Sequence, residues 1–168
     1  MTLLSVLDQS PIRTGATPAD AVADTLALAE HVDRLGYHRY WLAEHHSSNG
    51  LAGAAPEIMI PQIAGRTQGL RVGSGGIMLT HYSPLKVAET FRTIETLYPG
   101  RIDLGIGRAP GSDRVTDQAL QTGPGALGAE HYPTQVRDMM GYLGGNLPDD
   151  HPFANVRAMP AGPTVPDV

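Results

Sequence analysis

Four short strand-like segments, each followed by a helix-sized stretch, constrain the fold of this chain more than any other feature. The segments begin at residues 3, 39, 70 and 101, so their starts lie 36, 31 and 31 residues apart. That interval is about the length of one strand plus one helix, and helical crossovers of this kind join parallel strands. The sequence therefore predicts an α/β protein with a parallel sheet, whose strands lie at residues 3–7, 39–43, 70–77 and 101–106.

The helices between these strands carry recognisable end signals. Thr17 suits a helix cap, Pro18 the first helical position and Asp20 the first turn, and Gly36 suits a left-handed end. A second helix is predicted near residues 56–57, where Pro61 should kink the helix or delay its start. Further helices are predicted from residue 84 to the Pro-Gly pair at 99–100 and over residues 132–143, with a loop at residues 123–128.

Composition excludes several classes of function. The net charge of −5 supplies no basic patch for phosphates, so we expect no nucleic-acid partner. The absence of cysteine excludes disulfides, thiolate metal sites and a cysteine nucleophile. The N-terminus lacks a basic region followed by a long apolar run, and no run is long enough for a membrane span. We expect a cytoplasmic protein that does not bind membranes.

Unusual residues follow the predicted strands where each strand ends. Ligands of parallel sheets bind at the carboxyl ends of the strands, so these residues define a candidate site. They are Asp8, Glu44, His45, His46, Gly75, Gly76, Thr80, His81 and Arg108.

Glu44, His45 and His46 offer either a proton-transfer pair or a set of metal ligands. Successive side chains leave a strand on opposite faces, so three consecutive residues rarely converge on one ion, and we expect no metal. The alternative is a surface loop in which one histidine covers the end of the sheet. His45 is as well suited to substrate contact as to that structural role.

The glycines and Arg108 each allow two interpretations. The glycine-rich segment at residues 73–76 is not a phosphate loop, because no Gly-Lys-Ser/Thr follows, and Gly105-Ile106-Gly107 fails as a dinucleotide motif because residue 110 is proline. These glycines indicate either tight packing or a flat ligand lying against bare backbone. Arg108 is either a surface ion-pair residue or an anion contact in the cleft.

Four of these loops together resemble the bacterial luciferase-like family of flavin-dependent monooxygenases. The resemblance is collinear from about residue 3 to 118, and the matching stretches are residues 7–11, 39–46, 71–79 and 99–111. It implies the first four βα units of a (β/α)8 TIM barrel that binds reduced FMN at the strand ends, and oxidation of a small organic substrate with FMNH2 and O2. Some relatives of this family instead use a deazaflavin.

The resemblance also implies roles for individual residues. His45 would lie at the reactive flavin edge, supported by Glu44 as the second catalytic residue. Gly75 and Gly76 would form a cis peptide bond under the flavin ring. Arg108 would reach the cofactor phosphate, and the other cofactor-binding positions are Thr80, His81 and Asp8.

The chain stops about where a fifth strand would begin, so we expect the C-terminal half of the barrel to be absent and the chain to be truncated. We divide it into a partial barrel domain of residues 1–145 and an irregular, proline-rich tail of residues 146–168. An unpaired fourth strand and an uncovered inner face would favour a homo-oligomer. A flavin reductase is a possible partner. A non-catalytic flavin-binding or assembly module is the alternative function, and a barrel metal hydrolase is disfavoured.

Overall fold

The chain folds as a four-stranded parallel sheet, in the order β1-β2-β3-β4, with helices between the strands. A computed structural model describes residues 2–109, 111–120 and 129–168, so the predicted loop at residues 123–128 lies outside it. The elements are β1 (Ser5–Asp8), α1 (Pro18–Arg34), β2 (Arg39–Leu42), α2 (Pro56–Ala64), β3 (Arg71–Met78), α3 (Pro84–Leu97), β4 (Ile102–Gly107), α4 (Arg114–Leu120) and α5 (Tyr132–Gly144), with short 3₁₀ helices at Leu79–His81 and Ala129–His131. All four predicted strands are confirmed within two residues at each end.

The ends of α1 form as predicted. The Thr17 hydroxyl accepts a hydrogen bond from the Asp20 amide at 3.2 Å, and the Asp20 carboxylate accepts one from the Thr17 amide at 2.8 Å. This reciprocal capping box satisfies two amides that the helix leaves unpaired. Gly36 ends the helix with φ of +75°, a conformation that costs glycine nothing.

Helix α2 contradicts one of the two effects predicted for Pro61, the delayed start, while the kink stays a prediction. The helix begins at Pro56 without delay and contains Pro61 in its interior. Burial explains why the proline is tolerated, because Ile60 and Ile63 on either side of it are fully buried in the core. Tertiary packing of this face therefore outweighs the missing backbone donor.

The hydrophobic core lies between the helices and one face of the sheet. Tyr40 and Leu42 of β2 point into it and are at most 2% exposed, as are Ile102 and Leu104 of β4. Because side chains alternate along a strand, the residues between them face the opposite side. On that second face Leu7 is 59% exposed, so the sheet is covered by helices on one side and open on the other.

The edge of β4 is not entirely unpaired, which corrects the expectation from the sequence. Asp167 forms an isolated parallel bridge with Asp103. The Leu104 amide donates to the Asp167 carbonyl at 2.6 Å, and the Arg71 guanidinium binds the Asp167 carboxylate at 2.7 Å. Asp167 therefore occupies the edge of β4 beside Ile102–Leu104, where another chain could otherwise pair with the strand.

The C-terminal segment of residues 146–168 is irregular, as predicted, and is held against the helices. The buried guanidinium of Arg92 on α3 donates to the carbonyls of Leu143, Pro160 and Gly162 at 2.6, 2.8 and 3.2 Å. A planar, five-donor side chain suits this arrangement of three acceptors. The boundary between the predicted domain and tail stays a prediction.

None of the helices in the described ranges is both long enough and apolar enough to cross a bilayer. The cytoplasmic location stays a prediction.

Candidate functional site at the carboxyl ends of the strands

The predicted site residues lie at one end of the sheet. Asp8 ends β1, Glu44 and His45 follow β2, and Gly75 and Gly76 lie near the end of β3. Thr80 and His81 form the short 3₁₀ helix after β3, and Arg108 follows β4. Because all the strands are parallel, their carboxyl ends share one edge of the sheet, as the sequence predicted.

Glu44 is the most constrained of these side chains. It is fully buried, and its carboxylate has three partners: the Tyr82 hydroxyl at 2.6 Å, His46 Nε2 at 2.7 Å and the Met78 amide at 2.8 Å. Burial and this bond to Glu44 raise the pKa of Tyr82 well above its ordinary value. The carboxylate thus joins the end of β2 to the end of β3 and to the loop that follows.

The histidine that Glu44 contacts is His46, not His45, which corrects the pairing implied by the resemblance. His46 Nε2 lies 2.7 Å from the Glu44 carboxylate, as alternation of side chains along an extended segment would allow. The His45 amide donates to the Gly53 carbonyl at 2.8 Å. Its ring Nδ1 is buried and has no hydrogen-bond partner among the described residues, so His45 retains a free ring nitrogen.

Asp8 is buried and already bonded within the protein. Its carboxylate accepts from the Tyr40 hydroxyl at 2.6 Å and from the Ser10 amide at 2.7 Å. Burial, followed by the bond to Asp8, raises the pKa of Tyr40 strongly. Ser10 has a φ of +51°, and this bond helps to hold that uncommon conformation. In this structure Asp8 therefore shapes the turn after β1.

The two glycines of β3 lie against different neighbours. Their peptide bond is cis, as the resemblance implied. A Cβ on Gly76 would lie 2.8 Å from the backbone of Gly105, so this glycine is required by close packing of β3 on β4. A Cβ on Gly75 would lie 3.0 Å from the Trp41 side chain and 3.2 Å from that of Leu7. Gly75 is exposed, and its bare backbone forms part of the open face.

Thr80 and His81 are both close to the Glu44 network. Thr80 is buried, and the His81 side chain is fully buried. The His81 ring lies edge-on to the ring of His46, with centroids 6.0 Å apart, and its Nδ1 is 3.8 Å from the Asp117 carboxylate. Two histidines on different loops therefore pack together at the end of the sheet.

Arg108 is exposed just beyond β4. No carboxylate lies within ion-pair distance of it in residues 2–109, 111–120 and 129–168, which favours the second of its two interpretations. Burial raises the pKa of Tyr132 above its ordinary value, and the positive charge of Arg108 partly opposes this rise. Its role as an anion contact stays a prediction.

Three residues of this site were missed by sequence reasoning as members of it: Tyr82, Met78 and Asp117. Tyr82 lies 38 residues from Glu44 in the sequence, and nothing local links the two. Helix α4, which carries Asp117, has no buried residue and so lacks the apolar periodicity by which helices are predicted. Within the described residues, no group of three His, Cys, Asp or Glu side chains is arranged to hold a metal ion.

The parallel βα architecture with an open site at the strand ends is that of a β/α-barrel enzyme class, and comparison with known proteins identifies the family. The family model for luciferase-like monooxygenases matches residues 2–132. The chain belongs to the luciferase-like monooxygenase family.

Relatives show the extent of this similarity. The chain is 49% identical over 168 residues to the Bacillus subtilis protein YwcH. The match includes 100% of this chain and 50% of that protein. It is 41% identical over 160 residues to the N-acetyl-S-alkylcysteine monooxygenase of the same organism, covering 95% of itself and 48% of the relative. The chain therefore spans about half the length of the curated relatives it matches.

Solved structures confirm the fold. The crystal structure of apo-MsnO8 superposes with a TM-score of 0.86 at 42% identity, over 99% of this chain and 48% of that one. The oxygenating constituent of 3,6-diketocamphane monooxygenase from Pseudomonas putida, solved in complex with FMN, gives a TM-score of 0.69 at 20% identity, over 82% and 37% of the two chains. The chain thus matches 48% of one larger chain and 37% of the other.

Proposed function

We propose that this chain carries the flavin-ring side of an FMN-dependent monooxygenase site. In this proposal FMNH2 and O2 oxidise a small organic substrate, and a flavin reductase or NAD(P)H supplies the reduced cofactor. The observation that carries the proposal is the bare backbone at Gly75, exposed between the side chains of Leu7 and Trp41 at the open face.

The residues present fit a planar ring. A Cβ at Gly75 would occupy the space above Leu7 and Trp41, so glycine there leaves room for a flat group to approach the backbone. Trp41 also supplies an aromatic surface, and the Arg39 guanidinium lies 5.9 Å from the centre of its ring. When bound, reduced flavin would supply the electrons that activate O2. Binding of FMN in a relative of the same fold supports the choice of cofactor.

Each site residue has a role in this proposal. His45, with a free buried ring nitrogen, would hold or transfer a proton near the reactive edge of the ring. Arg108 would bind the phosphate, since it is exposed and without a carboxylate partner in the described ranges. Thr80 and His81 would line the pocket. Glu44 is fully buried and its carboxylate has three partners within the protein, so we assign it to positioning rather than to contact with the substrate.

A non-catalytic flavin-binding or assembly module is the second candidate. The observation that favours it is that Glu44, the second of the two predicted catalytic residues, is fully buried and bonded within the protein. This alternative keeps the roles of Gly75 and Arg108 and removes turnover.

We further propose that the chain forms homo-oligomers. The exposed apolar side chains Leu3, Leu4 and Leu7 extend from the open face to the free edge of β1, and covering them would remove apolar surface from water. Sedimentation of the 168-residue chain tests this directly. A monomer at every concentration would contradict it.

Titration with FMN and with FMNH2, followed by an assay of NAD(P)H- and O2-dependent turnover with a flavin reductase present, separates the candidates. The enzyme predicts binding and turnover, with turnover lost in His45→Ala and retained in the control His31→Ala, whose side chain is exposed on α1. Binding without turnover identifies the module. Absence of flavin binding to the folded chain refutes both.

A further inference from the structure

A second cleft, of about 210 Å³, lies on the helix-covered side of the sheet. It is bounded by the first turn of α2, the end of β3 and the first turns of α3. Its apolar wall consists of Ile77, Val87 and Phe91, all of which belong to the hydrophobic core. The cleft adjoins the candidate site through Tyr82, which bonds Glu44, but its lining includes neither Gly75 nor Arg108, so what it binds can be tested without flavin.

Glu57 makes this cleft chemically unusual. The side chain lines the cleft, and its Oε2 is buried without a hydrogen-bond partner in the described part of the chain. Burial raises the pKa of Glu57, its own backbone amide opposes this, and the nearby Glu44 carboxylate raises the pKa further. A buried carboxylate oxygen with no donor is costly, so a cation placed beside Oε2 would be stabilising.

No side chain of the protein supplies that cation in the described residues. Lys86 lines the same cleft, but its ammonium is exposed and forms no ion pair with Glu57. The aromatic ring of Tyr82 also borders the cleft, and with Phe91 it offers two aromatic surfaces. Aromatic faces attract cations, and more so when these are desolvated.

We propose that this cleft binds a small primary ammonium ion with a single-ring apolar body. The ammonium group would pair with Glu57, and the ring would pack on Ile77, Val87 and Phe91. The size is appropriate, because a cavity of about 150 Å³ holds benzene. The unpartnered Oε2 of Glu57 favours a cation over a neutral or anionic ligand.

The test is a titration of the 168-residue chain with three probes of similar shape: benzylammonium, benzyl alcohol and benzoate. Chemical shifts of the methyl groups of Ile77 and Val87 report occupancy of the cleft. Benzylammonium should bind at least roughly ten-fold more tightly than benzyl alcohol, as expected of a hydrogen bond to a charged group, and benzoate should not bind. Equal affinity of benzylammonium and benzyl alcohol, or no binding of either, would overturn the proposal.

Two variants separate charge recognition from a loss of structure. Glu57→Gln should weaken benzylammonium binding on the order of 10- to 100-fold and leave benzyl alcohol binding unchanged, which shows that the cleft is still formed. Lys86→Met removes a competing cation and should bind benzylammonium more tightly. Unchanged benzylammonium affinity in Glu57→Gln, or weaker affinity in Lys86→Met, would show an apolar cavity without recognition of the ammonium group.

Discussion

The Glu44 carboxylate should be one of the largest single contributors to the stability of this chain. Glu44→Ala removes the common partner of the Tyr82 hydroxyl, the Met78 amide and His46 Nε2, which it contacts at 2.6, 2.8 and 2.7 Å. Hydrogen bonds to a charged group are worth about 1.5–3 kcal/mol each. They are not additive, but a buried donor left without an acceptor costs about 1–3 kcal/mol, and Glu44→Ala leaves three partners in that state. We therefore expect Glu44→Ala to lower the free energy of unfolding by about 3–5 kcal/mol.

Urea unfolding measures this change, with the single tryptophan, Trp41 on β2, as the fluorescent reporter. Tyr82→Phe removes only one of the three bonds and should cost about 1.5–3 kcal/mol. The double variant should lose less than the sum of the two, since the variants share a bond. The control is Glu30→Ala, which removes a half-exposed ion pair with Arg66 at 4.0 Å and should change stability by less than about 1 kcal/mol.

The result that would refute this reasoning is a loss below about 1 kcal/mol in Glu44→Ala with an unchanged denaturant slope. Such a result would mean that water or a neighbouring donor replaces the carboxylate at no cost. An altered slope would instead report a change in the amount of surface exposed on unfolding. The denaturant slopes of Glu44→Ala and Glu30→Ala must therefore be compared first, and their free energies of unfolding afterwards.

Three further perturbations test other parts of the structure. Gly76→Ala places a Cβ 2.8 Å from the β4 backbone and should lower the free energy of unfolding by about 1–3 kcal/mol in the same urea assay. Gly50→Ala is the control, because a Cβ there has no atom within 4 Å, and it should be nearly neutral. Equal effects of the two variants would contradict the packing argument. Arg92→Ala should speed hydrogen exchange at residues 158–168, because the contacts with the carbonyls of Pro160 and Gly162 are lost. Unchanged protection would show that the segment is held by other contacts. The hydrogen bonds from Thr17 hold the pKa of Asp20 below its ordinary value. Asp20 therefore stabilises the fold above its unfolded pKa, and this contribution is lost as pH falls through its folded pKa. Asp20→Asn should lower the urea midpoint at neutral pH and leave it unchanged in strong acid.

The strands and their order along the chain were predictable because their signals are local. Apolar runs bounded by turn residues mark all four strands, and the caps Thr17 and Gly36 mark the ends of α1. Pro61 shows the limit of such reasoning, because propensity disfavours its position in α2 and burial of the neighbouring side chains outweighs that preference. Helix α4 shows a second limit, since a helix with no buried face has no periodicity to detect.

Some features of the candidate site could likewise be predicted from the sequence, and others could not. Its location at the strand ends follows from parallel strands and could be predicted without coordinates. The choice of His46 over His45 as the partner of Glu44 could also have been made, since alternation along an extended chain places residues 44 and 46 on one side. The role of Tyr82 could not, because its bond to Glu44 spans 38 residues of sequence.

The sequence alone thus determined the α/β class, the parallel sheet, the strand positions and the family, since all of these depend on local patterns and on motifs of consecutive residues. Tertiary structure decided which carboxylates are already engaged and which histidine nitrogen is free. It also decided that Asp167 covers part of the β4 edge and that Glu57 lies unpaired beside a cleft. The physical reason is that burial and hydrogen bonding depend on neighbours distant along the chain, which only the packed fold brings together.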